Sequence, residues 1–172
     1  MSSRRCLWLS VIGAVLVTGC VEGHHTLRWD QKLDASTRFI VLTDWNSEAV
    51  LDRETGLLWQ KSPETYATSW SSARGDCLSK TVGGRKGWRL PAIAELTSLI
   101  DPSVKVGPPV LPPGHPFLNI GGSIFWSAST SADNPAFAWA VGFDVDTMGP
   151  LDKSISTVRI WCVRGGMQAN EY

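Results

Sequence analysis

Cysteine and histidine are the residues of this chain with the widest chemical repertoire. The sequence contains four cysteines and three histidines. Thiolates act as nucleophiles, bind metals and form disulfides, whereas imidazoles bind metals and transfer protons. His24 and His25 are neighbours that would rarely converge on one ion, and His115 stands alone among prolines. We therefore predict no metal site and no cofactor, so that the cysteines must have other roles.

The first of these roles is indicated near the N-terminus. An apolar run of about 11 residues, 7–17, follows two arginines and is shorter than the roughly 20 residues that a spanning helix needs. This layout is typical of a secretory signal peptide, here residues 1–19. Val17-Thr18-Gly19-Cys20 resembles the lipobox of bacterial lipoproteins, which implies a lipid on Cys20. Val21 implies, by the same resemblance, sorting to the outer membrane. A free thiol at Cys20 and a single membrane anchor are the alternatives.

Charge and size narrow the classes of protein further. The chain carries 16 basic and 16 acidic residues, and loss of two arginines with the signal peptide would leave a net charge of −2. No long basic run is present, which disfavours nucleic acid because phosphate neutralisation dominates that affinity. Removing 19 of the 172 residues leaves 153, a chain of one-domain size.

Cys77 and Cys162 are the cysteines left for an exported domain, since Cys6 would depart with the signal peptide. A disulfide is the default for such a pair in an oxidising compartment, and two separate buried thiols are the alternative. The bridge would close a loop of about 85 residues, for which chain entropy gives about 4.5 kcal/mol of stabilisation.

Glycine and proline divide the rest of the chain into elements. We expect a tether over residues 20–44, of which 39–42 could form a first strand, then a domain over 45–167 and a tail over 168–172. The Pro- and Gly-rich residues 102–122 predict a long ordered loop. Turn, cap and periodicity signals predict a hairpin over 47–60, helices over 68–80 and 91–100, and strands over 124–126, 137–145 and 157–164.

Two of these elements have informative faces. Trp70, Ala73 and Cys77 recur at helical spacing and mark the inner face of the first helix. Bulky and small residues alternate strictly over 137–145, so that one face of that strand is bulky and the other small. Most tryptophans of the exported part lie on apolar faces and are expected in the core, although some could stack on sugars. Trp29 and Trp45 are the least explained.

Five segments in order resemble the Lcl C-terminal domain family over residues 48–166. The most recognisable is Gly87-Trp88-Arg89-Leu90-Pro91 followed by Glu95-Leu96. The other segments are residues 51–59, 70–77, 125–129 and 158–164. Each segment alone is weak evidence, but the ordered set is specific.

This resemblance implies a fold and a role for several residues. The family is similar in its motifs to C-type-lectin-like and sulfatase-modifying domains, which implies an α+β fold with two helices packed on a small twisted antiparallel sheet and long irregular loops. It implies that Cys77 bonds Cys162. Trp88, Arg89, Pro91 and Glu95 are interpreted as structural, with Arg89 pairing with Glu95 or capping carbonyls.

Function is expected to be binding rather than catalysis. We expect a lipid-anchored envelope module that recognises a surface glycan or a protein through the loop 102–122 and the segment 129–135, with His115, Asp133 and Asn134 as candidate ligand contacts. Some relatives bind sulfated polysaccharides, but the one modest basic cluster here is Lys80, Arg85 and Lys86. A structural scaffolding lipoprotein and a sulfatase-modifying-type enzyme are the alternatives.

Overall fold

The computed structural model describes residues 33–104, 109–144 and 147–165 and shows an α+β fold in which strands predominate. Within these residues, three short α-helices and ten strands are present, and the strands form two five-stranded sheets, named here sheet A and sheet B. Cys20, His24, His25, Trp29, the expected signal peptide and the expected tail lie outside the described residues.

Sheet A is antiparallel throughout. Its strands are β1 (Phe39–Val41), β2 (Ala49–Asp52), β3 (Leu58–Gln60), β5 (Trp88–Arg89) and β10 (Val163–Arg164), in the order β1-β2-β3-β10-β5. β2 and β3 form the predicted hairpin, whose turn places Gly56 at φ +73°, a conformation that favours glycine. β1 confirms the possible first strand, so ordered structure begins within the segment that we expected to be a tether.

Sheet B is a mixed sheet. Its strands are β4 (Ala67–Thr68), β6 (Ile124–Thr130), β7 (Phe137–Gly142), β8 (Thr147–Asp152) and β9 (Val158–Arg159), in the order β4-β9-β6-β7-β8. All neighbours pair antiparallel except β6 and β9, which are parallel. The sequence did not predict β8, which contains Gly149 and Pro150, because proline is tolerated in a strand only at an edge such as this one.

The expectation of one small antiparallel sheet is wrong, and so is that of one strand over 157–164. This segment supplies β9 to sheet B and β10 to sheet A, and Ile160, Trp161 and Cys162 cross between them fully buried. An apolar run reads the same whether it stays in one sheet or passes between two, because both environments bury it on all sides.

The two predicted helices are present, and a third precedes them. α1 (Ala35–Arg38) leads into β1, α2 (Trp70–Ser79) lies within the predicted span, and α3 (Ile93–Thr97) is only five residues long. α3 begins after Pro91 because the Glu95 carboxylate accepts the Ala92 amide at 2.8 Å. It ends before the predicted residue 100 because Leu99 and Ile100 donate to carbonyls three residues back, which tightens the turn.

Two apolar clusters fill the fold. The first contains residues of both sheets, and its Trp161 ring has four aromatic neighbours with centroids 5.0 to 5.6 Å away, Trp59, Phe117, Phe125 and Phe143. The second includes Trp88, Trp126, Ala138 and Ala140 and contains the predicted inner face of α2, where Ala73 and Cys77 are fully buried.

A buried ion pair attaches α1 to the hairpin of sheet A. Arg38 donates to both carboxylate oxygens of Asp52, at 2.9 and 2.7 Å, and the two residues are 2% and 0% exposed. Arg38 also pairs with Glu54 at 2.8 Å and donates to the Ser98 carbonyl. These bonds fix α1, and with it the start of β1, against the rest of the domain.

Candidate functional site

The motif around Trp88 is structural, as the sequence indicated. Trp88 is fully buried and donates its indole N–H to the Arg85 carbonyl. Arg89 makes both interactions that we expected, since its guanidinium pairs with Glu95 through two bonds of 2.7 Å and donates to the carbonyls of Leu90 and Gly165. Pro91 is buried, and its carbonyl accepts the Ala128 amide. The motif joins β5 to α3 and β6.

The predicted disulfide is present. Cys77 of α2 bonds Cys162 of the crossing segment, with their Cα atoms 5.5 Å apart and both residues fully buried. Both cysteines of the domain are therefore committed to structure, and neither presents a thiol to solvent.

His115 is a loop residue with a partly buried ring. Its Nδ1 is buried without a hydrogen-bond partner among the described residues, and the ring stacks on Phe117 at 5.9 Å between centroids. Loss of water contact lowers the pKa of His115 below its ordinary value. The ring is thus held neutral against the core, and the role of His115 as a ligand contact stays a prediction.

We expect acidification to weaken the domain through His115. The folded pKa is lowered, so the unfolded chain binds the proton first, and stability contributed by neutral His115 is lost as pH falls below the unfolded value of about 6.5. Urea unfolding at pH 7.5 and 5.5 measures this loss. His115→Phe, which keeps an aromatic ring on Phe117, should lose less stability than the wild type; an equal loss in both proteins would contradict the assignment.

The candidate contacts Asp133 and Asn134 lie in the turn between β6 and β7. Asn134 closes that turn, because its Oδ1 accepts the Ala136 amide and its carbonyl accepts the Phe137 amide, both at 3.0 Å. Asp133 is exposed. The turn therefore engages the Asn134 side chain, whereas the Asp133 carboxylate faces water.

The two predicted recognition segments lie at opposite ends of sheet B. The loop before β6 docks beyond the other end of β7, where the Val110 amide donates to the Phe143 carbonyl. The seven residues of β6 separate the two ends, which is about 20 Å at 3.3 Å per residue. His115 and Asp133 consequently do not share one site.

The indole N–H groups distinguish the tryptophans of the described residues. Four donate to backbone carbonyls at 2.8 to 2.9 Å, namely Trp70, Trp88, Trp126 and Trp161. Trp59 is fully buried and its N–H is unpartnered. Only Trp45 and Trp139 are partly exposed with an N–H that bonds to no described residue. Buried indoles normally find a partner, so an exposed indole with a free donor is suited to recognition.

Trp139 lies on the bulky face of β7, which the structure leaves partly open. Its neighbours on that face are Phe137 two residues before it, the buried Val141 two residues after it and, across the ladder to β8, Pro150, Met148 and Asp152. Met148 is 54% exposed and Pro150 is exposed. We name this set, Phe137, Trp139, Met148, Pro150 and Asp152, the Trp139 surface.

Carboxylates border the Trp139 surface. Asp152 accepts bonds from the Ser154 amide and hydroxyl, at 2.8 and 2.7 Å, and these bonds lower the pKa of Asp152. Asp133 projects from the turn that leads into β7. Lys153, the base that follows Asp152 in the chain, donates its Nζ to Thr130 and Pro135 and lies over the ring of Trp70, on the other face of the sheet. The border of the surface is therefore acidic.

Trp45 has a different, cationic environment. It ends a 3₁₀ turn, Thr43–Trp45, and the guanidinium groups of Arg85 and Arg164 lie over its ring, 5.6 and 5.4 Å from the centroid. Gly83 packs against it so closely that a Cβ there would lie 2.5 Å from the Trp45 Cβ. The sequence analysis grouped Arg85 with Lys80 and Lys86 in one basic cluster. In the structure Lys80 pairs with Glu64 at 2.6 Å, and the cation that joins Arg85 over the Trp45 ring is Arg164, which the sequence did not indicate.

The comparison with known families agrees with the arrangement of motifs. The profile of the Lcl C-terminal domain matches residues 48–164. The chain belongs to the Lcl C-terminal domain family. No curated protein matches the chain. In this member of the Lcl C-terminal domain family, the matched region holds the disulfide and the whole Trp139 surface, whereas α1, β1 and Trp45 precede it.

The described part of this Lcl C-terminal domain has neither a metal-binding cluster nor a membrane-spanning helix. Among the described residues, no group of three or more histidine, cysteine, aspartate or glutamate side chains is placed to hold a metal ion. In the same part of the chain, none of the helices has the length and apolar character needed to cross a bilayer.

Proposed function

We propose that this protein is a lipid-anchored, non-catalytic binding module of the bacterial envelope, and that it recognises a neutral surface glycan at the Trp139 surface. A lipid on Cys20 would hold it at the outer membrane. The observation that carries the recognition site is Trp139 itself, a partly exposed indole with a free N–H on a sheet face.

Aromatic and polar groups occur together on this surface as sugar recognition requires. The ring of Trp139 offers an apolar face for the C–H side of a sugar, and its N–H offers a donor to a hydroxyl. Phe137 precedes it on the same face, and Pro150 opposes it directly in the ladder. Because β7 and β8 are paired over six residues, this platform is rigid, and binding orders little of the protein.

The charge of the surface favours a neutral glycan over a sulfated one. Asp152 carries a carboxylate with a lowered pKa, and Asp133 is exposed in the adjoining turn. Carboxylates accept bonds from sugar hydroxyls but repel sulfate groups. The net charge of −2 expected for the exported chain points the same way.

The disulfide supports two further parts of the proposal, the absence of catalysis and the lectin-like layout. A sulfatase-modifying-type oxidation needs a reactive cysteine pair, and Cys77 and Cys162 are joined and fully buried. The link from α2 to the last crossing segment, beside an antiparallel β6-β7-β8 meander, supports a C-type-lectin-like layout. A scaffolding lipoprotein of an envelope assembly is the alternative role.

We expect Trp139→Ala to weaken glycan binding at least tenfold, because it removes both the stacking ring and its N–H donor. A tenfold loss corresponds to about 1.4 kcal/mol. The measurement is an array of neutral and sulfated glycans probed with the purified protein, followed by titration of the strongest glycan. Thermal unfolding of the variant shows whether it is folded at the temperature of the titration, since most of the Trp139 side chain contacts the protein.

The matched control is Trp45→Ala, which removes the other partly exposed tryptophan. It should leave glycan affinity within twofold of the wild type. Retention of sulfated glycans alone, or equal losses from the two substitutions, would contradict the assignment of the Trp139 surface. Retention of no glycan would favour the scaffolding role.

A further inference from the structure

A second surface, on the other sheet, combines aliphatic, aromatic and basic groups. Ile40, Leu51, Leu58 and Arg164 stand opposite one another in register across four neighbouring strands of sheet A, so their side chains share one face. Trp45 lies at the Arg164 end of this row, and Arg85 lies over the same ring. We name the set, Ile40, Leu51, Leu58, Trp45, Arg85, Lys86 and Arg164, the Trp45 surface.

The exposure of this row increases toward the edge of the sheet. Leu58 packs partly against the second core cluster, Leu51 is partly exposed, and Ile40 in the edge strand is 38% exposed. The indole N–H of Trp45 bonds to no described residue. An aliphatic strip beside a tryptophan with a free donor matches the amphipathic chemistry of a membrane interface.

The bases of this surface are held at its solvent side. Arg85 and Lys86 are exposed, and Arg164 donates its Nε to the Lys86 carbonyl at 2.8 Å, which keeps the three cations together. Two carboxylates lie in the same region: Asp44 is exposed, and Glu48 accepts the Gly83 amide at 2.6 Å. The bases outnumber the acids, so the surface attracts anionic headgroups modestly.

The described chain begins beside sheet A, a short distance along the sequence from Cys20. Cys20 precedes Leu33 by only 13 residues, which span at most about 45 Å when extended. The Leu33 amide donates to Glu54, in the turn of the β2-β3 hairpin, and β1 at the exposed edge begins six residues later. A lipid on Cys20 would therefore hold Leu33 within about 45 Å of the bilayer, which lets the Trp45 surface reach the lipid.

We propose that the Trp45 surface seats the domain on the anionic lipid surface to which the protein is anchored, leaving the Trp139 surface for the glycan. One lipid-linked contact together with a basic patch is a recognised way to hold a domain at a membrane. The aliphatic strip favours lipid over an anionic polysaccharide, because acyl chains can bury Ile40 and Leu51 whereas a charged, hydrated polysaccharide cannot. This inference rests on the lipid anchor of the proposed function.

The test uses the lipidated protein in vesicles whose acyl chains carry bromine near the headgroup and quench nearby indoles. Vesicles of phosphatidylcholine alone are compared with vesicles containing about one third phosphatidylglycerol. We expect at least twice the fractional quenching in the anionic vesicles. Trp45→Leu should remove most of this excess and Arg85→Gln/Lys86→Gln at least half, whereas the matched controls Trp139→Leu and Lys61→Gln/Arg74→Gln should leave it unchanged.

Other outcomes overturn the inference. Equal quenching in both vesicle types, or loss of the excess in Trp139→Leu, would show that the Trp45 surface does not face the lipid. Shielding of Trp45 by dextran sulfate without any effect of anionic vesicles would assign the surface to a polysaccharide. Failure of the anchor itself is separate: it would appear as Cys20→Ala protein that stays in the membrane fraction of cells.

Discussion

Replacing both domain cysteines, as Cys77→Ala/Cys162→Ala, should lower the free energy of unfolding by about 4 kcal/mol, since chain entropy gives about 4.5 kcal/mol for a closed loop of this length. The bond joins residues 85 positions apart, and both are fully buried. Alanine is chosen because a serine hydroxyl would be buried among Ala73, Trp88 and Trp126 without an assigned partner.

Urea unfolding followed by tryptophan fluorescence measures this loss. Cys20→Ala, which removes a cysteine outside the disulfide, is the matched control and should leave the midpoint unchanged. A loss of less than about 1 kcal/mol would contradict the prediction and would mean that packing alone holds α2 on the crossing segment. The wild type under reductant should approach the double variant.

Asp52→Ala should cost about 3 to 5 kcal/mol, because it leaves the Arg38 guanidinium buried without its closest partner. Asp52 is fully buried and accepts two bonds from Arg38 as well as the Glu54 amide. Glu54 remains 2.8 Å from Arg38, so the charge is only partly compensated. Thermal and urea unfolding of the variant measure the loss.

A second variant separates the charge from the loss of contacts. Asp52→Ala/Arg38→Met removes both charges and should recover part of the stability that Asp52→Ala loses. The matched control is Lys80→Ala, which breaks the pair with Glu64, whose side chains are 26% and 18% exposed. That change should cost about 1 kcal/mol or less. Similar losses of unfolding free energy for Lys80→Ala and Asp52→Ala would contradict the prediction that burial of the Arg38–Asp52 pair makes its disruption costly.

The Arg38–Asp52 pair also bears on the proposed lipid contact. Through α1 it fixes the start of β1, and Ile40 in that strand forms the exposed end of the Trp45 surface. The proposed lipid contact includes this strand. Loosening this entry by Asp52→Ala should therefore also reduce lipid quenching at Trp45, provided the variant remains folded.

The sequence alone predicted those helices, strands and turns that depend on residues close together in the chain. Helix α2, the β2-β3 hairpin, strand β7 and the start of β6 follow from periodicity and turn residues that act within about a dozen positions. β6 runs on to Thr130, past the predicted residue 126 and into the segment that we expected to be a polar connection. The expected disulfide followed from the cysteine count and the family resemblance. The structural role of Trp88, Arg89, Pro91 and Glu95 could also be inferred, since a proline start and a glutamate four residues later are local signals.

Long-range packing decided the rest. Residues 160–162 read as part of a strand, and only the placement of two sheets makes them a crossing segment. Trp45 meets Arg164 although 119 positions separate them, and no local pattern encodes such a meeting. The length of α3 depended on turn bonds beyond Thr97. The formation of β8 depended on its position at the edge of sheet B.

Strand β7 shows the division most clearly. Its strict alternation determined that one face is bulky and the other small, because successive side chains of a strand point to opposite sides. Alternation cannot say which face another layer covers. The structure buries part of each face: Ala138 and Ala140 lie in the second cluster, and Val141, on the bulky face, lies in the first. Phe137 and Trp139, at the start of the bulky face, stay partly exposed. Thus the sequence alone determined the elements and their faces, whereas tertiary packing decided which tryptophan is free to bind.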